Sequence, residues 1–87
     1  MIQNALNTNN IYHAVVEFTE RTGVTNKEIK ITCEPGKKPT IGDYIAAFKE
    51  SGLEVDITDF SRLVFKPKLH AQTPVVSLKI VRTYQVI

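Results

Sequence analysis

Residues 40–53, TIGDYIAAFKESGL, carry the marks of a single capped helix. Thr40 stands where an N-cap belongs, and Asp43 follows three residues later, close to the capping-box pattern with Asp in place of the usual Glu. Ile41, Tyr44, Ile45 and Phe48 fall at i, i+3, i+4 and i+7, one apolar stripe at 3.6 residues per turn. Gly52 suits a left-handed C-cap, and Leu53 is placed to fold back on the last turn. A helix of about three turns does not persist alone in water. Its stripe needs a surface to lie on.

The flanking sequence supplies a sheet, because its apolar residues recur with period two. From Ile11, the residues Tyr12, Ala14, Val16 and Phe18 share one face, while His13, Val15, Glu17 and Thr19 share the other. Residues 22–26, TGVTN, read as a hairpin turn. A second strand follows with Ile29, Ile31 and Cys33 inward and Glu28, Lys30 and Thr32 outward. The run EPGKKP at 34–39 ends it, since proline cannot donate to a ladder and Pro-Gly favours a turn.

Beyond the helix, Leu53, Val55 and Ile57 alternate with Glu54, Asp56 and Thr58 as a third strand. Residues 58–62, TDFSR, read as a hairpin loop in preference to a short helical turn capped by Thr58. Leu63, Val64 and Phe65 give a fourth strand ended by Pro67. The last strand places Val76, Leu78, Ile80, Tyr84 and Val86 on one face, interrupted by Arg82, and Lys79, Val81 and Thr83 on the other. The expected fold is α+β in the order β-β-α-β-β-β, a mostly antiparallel sheet with one helix, about residues 40–51, packed on one face.

Eighty-seven residues with 43% hydrophobic and 23% charged side chains make one ordinary globular domain, here residues 11–87. Residues 1–10 form an Asn-rich N-terminal arm, either frayed or partner-binding. A formal charge of +2 is too small to argue for nucleic acid by itself. No apolar stretch approaches the roughly 20 residues that span a bilayer. The first residues also lack the basic start and apolar run of a signal peptide. The expectation is a protein without a membrane association, in a reducing, cytoplasmic setting.

Chemistry is sparse. Cys33 is the one cysteine, so no internal disulfide forms. Paired with His13 it would give the minimum for thiol catalysis, but the alternation sends Cys33 inward and His13 outward. His70 lies in a loop without a partner group placed by spacing. Asp56 and Asp59 form a carboxylate pair only if the turn after the third strand is not their purpose. No H-x-x-x-H or C-x-x-C spacing offers a metal site, and no cofactor motif occurs. Lys37 and Lys38 stand before the helix N-terminus, where anions are favoured, but the P-loop pattern is absent. With Lys66, Lys68, Lys79 and Arg82 they make a candidate anion or nucleic-acid contact. Lysines on strand edges equally serve to block aggregation.

These readings lead to a non-catalytic protein-interaction domain, namely an adaptor, assembly component or small inhibitor, self-associating as a homo-oligomer. The motivation includes a small core and terminal strands long enough to extend a partner's sheet. A small nucleic-acid-binding module using the basic loop and strand surface is the alternative. A small enzyme built on His13, His70, Cys33 and the Asp56/Asp59 pair is the second alternative.

Overall fold

The computed structural model describes residues 10–69 and 73–85. They run β1 (Asn10–Glu20), β2 (Gly23–Cys33), α1 (Ile41–Glu50), β3 (Val55–Asp59), β4 (Val64–Pro67) and β5 (Val75–Gln85). The strands form one sheet in the order β2-β1-β5-β4-β3, every neighbouring pair antiparallel. The α+β order expected from the sequence is therefore the observed one. Asn10 belongs to β1 and not to the N-terminal arm; residues 1–9 of that arm, His70 and Val86 lie outside the described residues.

The helix is fastened at both ends. Thr40 Oγ1 accepts from the Asp43 N–H at 3.2 Å, and Asp43 Oδ2 accepts from the Thr40 N–H at 2.9 Å. The shorter Asp side chain thus completes the capping box that Glu usually closes. At the other end Gly52, with φ at +92°, donates to Lys49 O, and the Leu53 N–H donates to Phe48 O. These are the two bonds of a Schellman ending.

Between these caps α1 joins the two edge strands. β2 and β3 lie four strand spacings apart, about 19 Å, and ten helical residues rise about 15 Å. The helix therefore crosses the whole sheet and packs on both β2 and β3. Phe48 anchors it, edge-on to Phe65 at 5.3 Å and to Phe18 at 6.5 Å between ring centres. Ala14, Val16, Ile31, Leu78 and Ile80 complete the core beneath. Tyr44 buries its ring while its hydroxyl shares a 2.8 Å hydrogen bond with Thr83 Oγ1.

Several boundaries depart from the sequence reading: Thr58 and Asp59 belong to β3 and not to the loop, and β4 starts at Val64 because Leu63, with φ at +54°, closes the turn. The first hairpin turns at Arg21 and Thr22, with Glu20 opposite Gly23, so Val24, Thr25 and Asn26 lie in β2 and not in a turn. Gly23 takes φ at +150°, which its missing Cβ permits. β3 starts at Val55, because Leu53 is spent on the helix ending. β5 carries two bulges against β1. Val15 faces Arg82 and Val16 faces Ile80, leaving Val81 extra; Thr19 faces Ser77 and Glu20 faces Val75, leaving Val76 extra. Each bulge shifts the phase by one. Val75 is buried and Val76 exposed, and beyond Val81 it is Thr83 that turns towards the helix while Arg82 and Tyr84 turn away.

Thr40→Ala removes one arm of the capping box and is expected to cost about 1 kcal/mol of stability. Phe48→Ala opens the core and is expected to cost about 3–5 kcal/mol. Urea titration followed by circular dichroism measures both, and a Phe48→Ala protein as stable as the parent would contradict the seating of α1.

Candidate functional site

α1 covers only one face of the sheet, so the opposite face is assembled from the outward residues of the strands. In the centre, His13 on β1 pairs with Lys30 on β2 and with Tyr84 on β5, and Val15 pairs with Glu28 and Arg82 in the same way. The Tyr84 phenol reaches across β1 and donates to Glu28 Oε2. His13 Nδ1 lies 3.4 Å from Glu28 Oε1, and its ring meets Tyr84 edge-on at 5.8 Å. The Arg82 guanidinium stands 5.6 Å over the same tyrosine ring. One carboxylate therefore gathers an imidazole and a phenol from two other strands.

This arrangement perturbs Tyr84. Donation to Glu28, with partial desolvation and the glutamate charge, pushes the phenol above its ordinary value of 10.0, and the Arg82 charge opposes the shift. Since the native value is raised, the contact's contribution to stability is complete below pH 10 and is lost as pH rises through the native value.

The basic residues divide. Lys66, Lys79 and Arg82 lie on this open face, but Lys79 is opposite Glu17 and Lys66 is opposite Asp56. Lys68 Nζ also lies 3.8 Å from Asp56 Oδ1. Lys37 and Lys38 sit elsewhere, in the loop before α1, where Lys37 O accepts from Cys33 Sγ on the helix side of the sheet. Lys37 Nζ also pairs with Glu34 at 3.1 Å. Carboxylates interleave the cations across the strands, which is the arrangement of a mixed surface and not of a phosphate track.

The catalytic candidates do not converge. Cys33 is buried on the helix side, while His13 is half-exposed on the other face. Burial, then the nearby Asp43 and Glu34 charges, push the Cys33 thiol up from its ordinary value of 9.0, which suppresses the thiolate. Asp59 accepts the N–H groups of Ser61 and Arg62 at 3.0 and 3.1 Å and so organises the β3–β4 turn. Asp56 is occupied by lysine, as above. Among the described residues no group of three or more His, Cys, Asp or Glu is placed to hold a metal ion, and no helix is long and apolar enough to cross a membrane.

Two features had no clear signal in the sequence. The first is a groove of about 580 Å³ at the C-terminal end of α1, walled by Phe18, Ile29, Phe48, Leu53, Pro67 and Leu69. Lys27 lies along its rim with Nζ 5.4 Å from the Phe18 ring centre, and Leu69 is 58% exposed. The second is the β2 edge. β1 and β5, the first and last strands, are both interior, so neither of the terminal strands is free to extend another sheet; β2 and β3 are the edges. β3 is five residues long with an irregular register after Ile57, whereas β2 has eleven residues in unbroken register with β1. Comparison with known protein families, characterised proteins and solved structures finds no match to the chain.

Glu28→Ala is expected to bring the Tyr84 ionisation back towards pH 10, read as absorbance at 295 nm during alkaline titration; an unchanged titration would place the phenol elsewhere. Cys33 is expected to react with a disulfide reagent far more slowly in the native protein than in urea. Equal rates would contradict its burial.

Proposed function

We propose that the protein is a non-catalytic interaction domain, an adaptor, assembly component or small inhibitor that binds another protein. The observation that carries this reading is the apolar groove between the end of α1 and the inner face of β1 and β2. Phe18, Ile29 and Leu53 are only partly buried by the domain's own core, and the exposed Leu69 extends the same apolar lining outward. A partner side chain entering there removes further apolar surface from water, worth about 25 cal/mol per Å² before the costs of association. The separated thiol and imidazole, and the carboxylates taken up by turns and lysines, support the non-catalytic part of the reading.

Nucleic-acid binding is the second reading, favoured by one observation: Tyr84 is exposed on the open face beside Arg82, an aromatic ring on which a base can stack. The carboxylates opposite Lys66 and Lys79 weigh against it.

Leu69→Asp places a charge on the groove wall at an exposed position and leaves the fold intact. Protein partners retained by the parent domain in affinity capture are expected to be lost by this variant at unchanged thermal stability. Identical capture by both, or none by either, refutes the groove as the binding surface. Titration with single-stranded DNA and RNA at low salt decides the second reading, which requires binding that weakens steeply with added salt.

A further inference from the structure

Resting on the interaction reading, we infer that β2 is the interface between two copies of this chain, paired antiparallel about a two-fold axis at Ile29, so that two five-stranded sheets join into one. Natural edge strands are blunted by shortness, bulges, covering loops or charged side chains, lysine above all. β3 has the first two of these protections, with five residues and a register shift. β2 has neither. The loop that follows Cys33 turns away from the edge instead of covering it: Asn10 Nδ2 on β1 donates to Glu34 O and Lys37 O at 3.3 and 3.2 Å, drawing the loop back across its own neighbour.

Charge selects the register. A two-fold axis through the sheet sets outer residues against outer residues, and among these Glu28 and Lys30 straddle Ile29 on the open face. With the axis at Ile29, Glu28 of each copy meets Lys30 of the other, twice over. Moving the axis to Lys27 opposes two Lys27 side chains, moving it to Glu28 opposes two glutamates, and moving it to Lys30 opposes two Lys30 side chains. Opposite charges across a strand pair stabilise and like charges destabilise. On the helix side the chosen register sets Ile29 against Ile29 and lays the stem of Lys27 against Ile31, and residues 25–33 of both copies overlap. The symmetry is closed, because each copy uses the one long edge among its described residues once.

Glu28→Lys and Lys30→Glu test this, both at exposed positions. Sedimentation of the parent is expected to show dimers at high micromolar concentration. Each variant alone places four like charges at the axis and is expected to dimerise at least about tenfold more weakly. The two variants mixed in equal amounts recreate both opposite pairs and are expected to recover the dimer, with circular dichroism confirming that each is folded. A parent that is monomeric at every concentration overturns the inference, and so does a mixture that fails to recover. A dimer indifferent to both substitutions also overturns it by placing self-association elsewhere. None of these outcomes bears on the Leu69→Asp capture, which tests the wider reading separately.

Discussion

The structure depends on a span. α1 has to reach from one edge of a five-stranded sheet to the other, because the chain leaves β2 on one flank and must begin β3 on the opposite one. Ten residues of helix fall slightly short of that width, and the two caps supply the remainder. Thr40 and Asp43 fix the departure, and Gly52 with Leu53 fixes the arrival. Phe48 pins the last turn between Phe18 and Phe65, side chains from β1 and β4 that are far apart in sequence. Everything above the sheet follows from that one crossing, including the groove left where the helix ends and the inner faces of β1 and β2 continue.

How much of this was legible depended on which rule each element obeys. α1, the inward set of β1 and the alternation of Glu28 to Cys33 follow local periodicity and capping, so the sequence states them directly. The bulges do not. Val76, Leu78, Ile80 and Tyr84 look like one continuous face, and the shifts at Val76 and Val81 arise only when β5 is laid against β1. The turn at Arg21 and Thr22 was similarly hidden, since Thr25 and Asn26 are acceptable both in a turn and on an exposed edge strand. Strand order is a long-range property. The chain's last strand entering the middle of the sheet, and not its edge, left no trace in local pattern, and it removed the terminal strands as docking edges.

The site residues show the same division. That Cys33 and His13 point apart is a parity argument, and parity is what a regular strand preserves. That Tyr84 joins His13 and Glu28 is invisible to parity, because the Val81 bulge stands between Tyr84 and the face it would otherwise occupy. Charge alone groups the six basic residues, and position separates them: two precede the helix, Lys66 and Lys79 on the open face meet carboxylates across the ladder, and Arg82 stands over the Tyr84 ring. A surface of alternating signs is suited to reading a specific complementary surface and poorly suited to holding a polyanion.

The central placement of β5 also has a consequence for how the protein is made. β1 finds its second neighbour only when residues 75–85 are available, so the pairing has a high contact order and a slow loop to close. At ribosomal speeds of about 5–20 residues per second, roughly 3–10 s pass between completion of β2 and completion of β5. During that interval the flank of β1 that β5 will occupy has no partner strand, while α1, complete at residue 50, is already available to close over Ala14 and Val16.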